Sequence, residues 1–180
     1  MRAGAGPRNG FTLIEILVAV AVFGITMAAL TTTQVSSIAM SRANLETSAA
    51  ADAAQSVLEA MRDEDEFSEV FARWNATAAD DPAAGLSPGN AFDVPGLEPV
   101  RDDPDGRVGE VVFPGDGVEL REDANERLLG MPRDLDLDGG EPDADDHKGD
   151  YRILPVLVRV TWSGSGGEHR IQMVGTLARR

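Results

Sequence analysis

The stretch FTLIEILVAVAVFGITMAAL, residues 11–30, decides the fold of this 180-residue chain. Glu15 is its one ionisable side chain. Twenty residues in an α-helix rise about 30 Å, which is the thickness of the hydrocarbon core of a bilayer. We therefore expect residues 11–30 to form a membrane-spanning helix.

The residues before this stretch indicate how the helix is oriented. Residues 1–10, MRAGAGPRNG, contain Arg2 and Arg8 and no acid, whereas the chain as a whole has a formal charge of -15. Cytoplasmic flanks of membrane helices are enriched in basic residues. The first ten residues should therefore lie in the cytoplasm, and the residues after the helix should be exported.

Three interpretations of the N-terminus compete. A secretory signal would be cleaved after the apolar run, near Ala28 or Ala29, and a single-pass anchor would not be cleaved. Neither explains Glu15, because a comparable charge near the bilayer centre costs about 2.5–3.5 kcal/mol. The third interpretation treats residues 10–15 as a single processing and assembly motif.

Composition excludes several classes of function. An excess of 31 acidic over 16 basic residues argues against a nucleic-acid partner. The absence of cysteine excludes disulfides, thiolate catalysis and Cys-ligated metals. His147 and His169 are the two imidazoles, expected as a loop side chain and an exposed strand residue. Since a catalytic histidine base has only these two residues to draw on and no cysteine nucleophile exists, we do not expect an enzyme.

The helical pattern continues well past residue 30. No proline or glycine occurs between residues 31 and 62. The apolar residues of this segment are confined to a stripe along one face of the predicted helix. We predict one helix of about 50 residues ending near Arg62. The predicted stripe consists of Ile38, Leu45, Ala49, Ala53 and Val57.

The C-terminal part of the chain has the alternation typical of β-strands. Residues 151–180 contain two alternating runs separated by a turn at residues 163–167, which predicts a β-hairpin. Short strands are also expected at Glu110–Phe113 and Gly117–Arg121. These elements predict an α+β fold in which a long N-terminal helix packs on a small antiparallel sheet.

The chain is thereby divided into five segments. Residues 1–10 form a cytoplasmic leader, residues 11–30 the transmembrane half of the helix and residues 31–62 its amphipathic half. Residues 63–150 form an acidic variable region with short strands, and residues 151–180 form the hairpin.

The hexapeptide GFTLIE at residues 10–15, after a short basic leader, resembles the class III signal of type IV pilins and of type II secretion pseudopilins. The resemblance implies that a prepilin peptidase, an intramembrane aspartic peptidase, cuts after Gly10. Phe11 would then become the N-methylated first residue. Glu15, fifth in the mature chain, would pair with the N-terminal ammonium of a neighbouring subunit.

The resemblance also implies a pilin-like fold, a place in the inner membrane with the C-terminal domain in the periplasm, and later incorporation into a pseudopilus or pilus. Its partners would be the prepilin peptidase, other pilin or pseudopilin subunits contacted through the N-terminal helix, and the inner-membrane assembly platform. The runs at residues 17–23 and 154–162 look most like the I-type minor pseudopilin or the V-type minor pilin. A membrane-anchored calcium-binding or ligand-binding module is the alternative function.

The acidic region contains one pattern typical of a metal site. Asp134, Asp136 and Asp138 have the spacing that opens a calcium-binding loop, with Gly139 at the sharp turn. Gly140 would offer its carbonyl, and Asp145 stands twelfth in the loop. The sequence thus predicts a possible Ca²⁺ site, and the alternative is a solvated acidic loop.

Overall fold

The structure, a computed structural model, describes residues 12–76, 88–115 and 117–179. The leader, Gly10 and Phe11 lie outside the described residues. Contacts within the chain divide it into two units, one up to Arg42 and one from Ala43 onward. A single helix runs through both units, and each unit is considered by itself.

Helix α1, Leu13–Arg62, contains 50 residues, which confirms the predicted length. It begins after Thr12, whose hydroxyl oxygen accepts a hydrogen bond from the Glu15 N–H at 3.4 Å. A threonine in this position satisfies one of the free N–H groups at a helix start. In the first unit every described residue of the helix is exposed.

In the second unit, α1 buries one face, and this face is offset by one residue from the predicted stripe. Ala50, Ala54, Leu58 and Met61 are buried, while Ala49, Ala53 and Val57 are partly buried. Leu45, which was expected in the stripe, is 70% exposed. The predicted Ile38 is exposed as well. The buried positions Ala50, Ala54 and Leu58 thus recur every four residues along the helix.

The sheet has four antiparallel strands in the order β1-β2-β3-β4. The strands are β1 Ala91–Phe92, β2 Gly109–Val112, β3 Ile153–Gly164 and β4 Gly167–Ala178. The predicted hairpin is confirmed by β3 and β4, whose last pair joins Gly164 to Gly167 across a two-residue turn. The predicted α+β fold is likewise what the structure shows, a long helix with an antiparallel sheet.

Close packing of α1 on the sheet depends on a glycine in β4. Gly175 is paired with Val156 of β3. A Cβ atom placed on Gly175 would lie 3.2 Å from Cδ2 of Leu58 in α1. Because glycine has no side chain at this position, the side chain of Leu58 has room to pack against β4.

The region between helix and hairpin is more ordered than a simple acidic loop. It contains helix α2, Val70–Asn75, and two short 3-10 turns at Phe67–Glu69 and Arg127–Leu129. Twelve of its described apolar and aromatic side chains join the buried core, namely Val70, Phe71, Trp74, Val94, Val108, Val111, Phe113, Leu120, Leu129, Met131, Leu135 and Tyr151. The region therefore has a packed interior of its own.

The predicted strand at Gly117–Arg121 is wrong. A single β-bridge between Gly115 and Leu120 is the extent of the pairing there among the described residues. The N–H of Leu120 donates to the Asp146 carboxylate, and its carbonyl accepts from the N–H of His147. Because the loop around residue 146 uses these backbone groups, they do not pair with a strand. The other short strand begins one residue earlier than predicted, at Gly109.

An acid run at residues 63–66 follows α1, and one of its members is bound within the fold. The Glu64 carboxylate accepts hydrogen bonds from the Arg73 guanidinium and from Nε1 of Trp74. These contacts connect the end of α1 to α2. The charge of Glu64 is therefore compensated within the fold.

Replacement of Leu58 should destabilise the second unit. Leu58→Ala removes a buried side chain that packs over Gly175, and such a cavity costs about 2–5 kcal/mol of unfolding free energy. The control Leu45→Ala, at an exposed position of the same helix, should cost about 0.5 kcal/mol or less. Denaturant unfolding of the full chain in detergent, followed by tryptophan fluorescence, measures both. Equal losses in the two variants would show that the helix does not pack as described.

Candidate functional site

The first candidate site is the apolar half of α1, which we define as residues 13–42. An 18-residue window of this helix has a mean hydropathy of 2.5, and none of the window is buried. The helix is long and apolar enough to cross a membrane. Exposed apolar surface of this extent is covered by lipid or by protein in a stable molecule.

The threonine hydroxyl groups on this half form hydrogen bonds within the helix. Thr31, Thr32 and Thr33 each donate to the carbonyl four residues earlier, over 2.9–3.1 Å. Thr26 donates to the carbonyl of Phe23 at 2.8 Å. Internal bonds of this kind allow polar side chains to enter lipid without an external partner.

Glu15 differs from these threonines. Its carboxylate is exposed in the first turn of α1, and within residues 12–76, 88–115 and 117–179 it has no hydrogen-bond or ion-pair partner. The positive end of the helix dipole favours a carboxylate at this position but does not neutralise it. Glu15 therefore presents an uncompensated charge at the end of an apolar surface. Gly10 and Phe11, the predicted cleavage and methylation residues, lie outside the described part of the chain.

The second candidate site surrounds His147, which is buried. Its Nε2 lies 3.1 Å from Oδ1 of Asp143 and 3.9 Å from Oε1 of Glu122. Its Nδ1 lies 3.2 Å from Oδ1 of Asp150 and 4.0 Å from Oδ2 of Asp136. One imidazole thus faces four carboxylates, and we call these five residues the His147 cluster.

Backbone hydrogen bonds between distant segments assemble this cluster. The N–H of His147 donates to the carbonyl of Leu120 at 2.9 Å, and the N–H of Asp123 donates to the carbonyl of Asp143 at 2.9 Å. These two bonds place residue 122 beside residues 143–147. The Glu122 carboxylate is also buried, and it accepts from the N–H groups of Leu135 and Asp136.

The carboxylates change the protonation of His147. Burial lowers the pKa of His147, but the hydrogen bond to Asp143 raises it. The charges of Glu122 and Asp150 raise it further, and the net pKa lies above its ordinary value of 6.5. The pKa of Asp143 is lowered by the N–H of Asp145 and by its hydrogen bond to His147. The imidazolium form is therefore more favoured at His147 than in a solvent-exposed histidine.

The predicted calcium loop is arranged differently from its expected ligand set. Asp134 accepts from the N–H groups of Leu137 and Gly139, Asp136 from that of Asp138, and Asp138 from that of Gly140. Each carboxylate thus closes a turn of its own loop. Calcium coordination by this loop stays a prediction.

Groupings of possible metal ligands extend beyond that loop. Asp134 and Asp136 lie within ligand distance of Glu122, whereas no such group within the described segments includes Asp138 or Asp145. The other two groups both contain His147. The structure therefore brings together part of the predicted set and adds residues to it.

Glu122, Asp143, His147 and Asp150 were not identified from the sequence as site residues. His147 lies in a loop, as expected, but it is buried and has carboxylates beside both ring nitrogens. A usable signal existed in the spacing of Asp143 and Asp150 around a lone histidine. Nothing local pointed to Glu122, which joins the cluster through a long-range contact.

The raised pKa of His147 predicts how its contribution to stability changes with pH. A group whose pKa is raised by folding stabilises fully below its unfolded pKa, and this effect is lost as the pH rises through the folded pKa. The loss of unfolding free energy in His147→Gln should therefore be larger at about pH 5.5 than at about pH 9. Both proteins are compared in chelator by denaturant unfolding. A loss that is constant, or that grows with pH, would contradict the cluster geometry.

Comparison with known proteins bears on the N-terminal site. Residues 7–31 match a family described as the prokaryotic N-terminal methylation motif. No curated protein and no solved structure matches the chain. The matched segment includes residues 10–15 and much of the apolar half of α1, in a chain whose long helix and antiparallel sheet agree with a pilin-like fold. The N-terminal segment therefore carries a prepilin-type methylation motif, which supports the resemblance of residues 10–15 to the signal of type IV pilins and pseudopilins.

Proposed function

We propose that the chain is a non-enzymatic minor subunit of a type II secretion pseudopilus or a type IV pilus. The observation that carries the proposal is the apolar half of α1, exposed along its length, with the unpartnered carboxylate of Glu15 at its start. The matched prepilin motif, residues 7–31, overlaps this half. A surface of this kind fits a helix that is stored in a bilayer and then packed among other helices.

Processing is the first step of the proposed function. The basic leader stays in the cytoplasm, and the prepilin peptidase cuts after Gly10. Phe11 then carries the new N-terminal ammonium and is methylated. The proposal rests on the motif here, since both residues lie outside the described part of the chain.

Assembly is driven by the charge of Glu15. In lipid this carboxylate has lost water, and a buried charge without a partner is costly. Thr26, Thr31, Thr32 and Thr33 have their hydrogen bonds inside the helix, so they gain little from a neighbour. Pairing with the ammonium of an adjacent subunit would relieve Glu15, and the charge that is costly in the monomer then favours the polymer.

Packing of neighbouring helices would use small residues on the same half. Gly24 has no atom within 4 Å of a Cβ placed on it, so its surface is open. Small side chains let membrane helices approach closely. The residues concerned are Ala19, Ala21, Gly24, Ala28 and Ala29. Other pilin or pseudopilin subunits and the inner-membrane assembly platform are the proposed partners.

The second unit would form the exported head of the subunit. Its packed variable region is the part expected to differ between subunits and to contact their neighbours or cargo. The runs at residues 17–23 and 154–162 support a minor subunit of the I-type pseudopilin or V-type pilin kind. Both lie in regular structure, the first in α1 and the second in β3.

A membrane-anchored calcium-binding or ligand-binding module is the second candidate. The carboxylates around His147 favour this second candidate, because they offer ligands for a cation in the unit proposed to be exported. Such a module would keep residues 1–10 or lose them with the whole apolar run. Processing at Gly10 separates the two functions.

The mature N-terminus tests the processing step. Mass spectrometry of the protein from cells that express the prepilin peptidase should show a chain beginning at N-methylated Phe11. Gly10→Val should abolish processing, because the valine side chain is too large for the peptidase pocket that accepts glycine. The control Gly6→Val, in the leader, should be processed as the wild type is. An intact Met1 or an N-terminus near Thr31 in the wild type would refute the proposal.

Glu15 tests the assembly step. Glu15→Ala should leave membrane insertion and cleavage unchanged. It should reduce recovery in sheared or cross-linked filaments by about tenfold or more, since the ammonium of the adjacent subunit loses its partner and an unpaired charge costs more than about 1.4 kcal/mol. Asp52→Ala is the matched control, because Asp52 is an exposed acid on the same helix outside the apolar half. Equal recovery of Glu15→Ala and wild type would mean that the carboxylate is incidental to assembly.

A further inference from the structure

Three residues of the His147 cluster have the separations of metal ligands. One ligand atom from each of Glu122, Asp143 and His147 lies within 4.8 Å of the others. The distances from His147 Nε2 are 3.1 Å to Asp143 and 3.9 Å to Glu122. Two ligands of a tetrahedral zinc ion, each about 2.0–2.1 Å from the metal, are about 3.3 Å apart. The observed distances bracket that value, so a cation fits with small side-chain movements.

Burial distinguishes these residues from the exposed acids that cover an acidic protein. The side chains of His147 and Glu122 are 8% and 4% exposed, while that of Asp143 is 54% exposed. A carboxylate removed from water requires a cation or several hydrogen bonds. The cluster thus combines a buried imidazole, a buried carboxylate and one carboxylate that is open to solvent.

Outer contacts hold the two buried ligands in position. Nδ1 of His147 lies 3.2 Å from Oδ1 of Asp150, which suits donation of the Nδ1 hydrogen to this carboxylate. Metal-bound histidines commonly donate their second N–H to a carboxylate, which directs the lone pair of the other nitrogen at the metal. Glu122 is oriented by the N–H groups of Leu135 and Asp136.

We propose that Glu122, Asp143 and Nε2 of His147 bind one divalent transition-metal cation of the Zn²⁺ type. Imidazole together with carboxylate suits zinc and its neighbours, whereas calcium takes oxygen ligands and would not use His147. Three protein ligands leave a position for water. The site adjoins the loop of Asp134, Asp136 and Asp138 predicted for calcium, because the N–H of Asp136 donates to Glu122, but its ligands are different residues. It does not depend on the proposed function.

A bound cation would have a structural consequence in this chain. Glu122 comes from one segment and Asp143 and His147 from another, so the metal would cross-link two segments that backbone hydrogen bonds already join. The cation would also offset the repulsion among eight acids between residues 134 and 150, where Lys148 is the one lysine or arginine. The chain has no cysteine with which to form a disulfide there.

Zinc titration of the full chain tests the proposal. The protein carries a tag without histidine, is kept in detergent, is stripped with chelator and is titrated with ZnCl₂ by calorimetry at about 0.15 M salt, which screens weak surface binding. We expect one Zn²⁺ per chain, no stoichiometric binding in His147→Gln, and at least about tenfold weaker binding in Asp143→Asn. His169→Gln and Asp138→Asn should bind as the wild type does.

The same titration can overturn the proposal. Absence of a stoichiometric site in the wild type, or unchanged affinity in Asp143→Asn, would do so. Asp143 is half exposed, and its asparagine variant keeps the test valid if His147→Gln does not fold. Displacement of zinc by an equal concentration of Ca²⁺ would also refute it, because such a site would be built from oxygen alone.

Discussion

The uncompensated carboxylate of Glu15 is the constraint on which the rest of this protein depends. In residues 13–33 of α1, threonine hydroxyls bond to carbonyls of the same helix, and Glu15 is the one polar side chain without a partner among the described residues. A helix of this composition is stable in a bilayer apart from one group. The proposed function follows from this imbalance, since a second subunit can supply the missing positive charge.

The same helix meets a different requirement from Ala43 onward. There it must leave the apolar environment and bury a face on protein, and the composition changes accordingly from large exposed side chains to small buried ones. Ala50 and Ala54 are fully covered, and Leu58 packs over Gly175 of β4. One continuous helix therefore serves as a stem in one environment and as part of a protein core in another.

Sequence reasoning succeeded where structure is determined by local pattern. The uninterrupted helix to Arg62 and the hairpin of β3 and β4 follow from periodicity over neighbouring residues, and both are confirmed. It failed where distant segments decide the outcome. The strand expected at Gly117–Arg121 is absent because Asp146 and His147 take its backbone hydrogen bonds, and the same contacts bring Glu122 to His147. Glu122 and His147 are 25 positions apart, and the local periodicity of the sequence does not reveal a contact at that separation.

The proposed function requires that the apolar half of α1 contacts other subunits that carry the same N-terminal motif. The most direct measurement is photo-cross-linking from a reactive residue at Ile16, one position from Glu15, in cells with and without an active prepilin peptidase. The proposed function predicts adducts with proteins that carry the same N-terminal motif, and these adducts should form when the peptidase is active. Adducts that are identical without the peptidase, or the absence of any protein adduct when it is active, would contradict it.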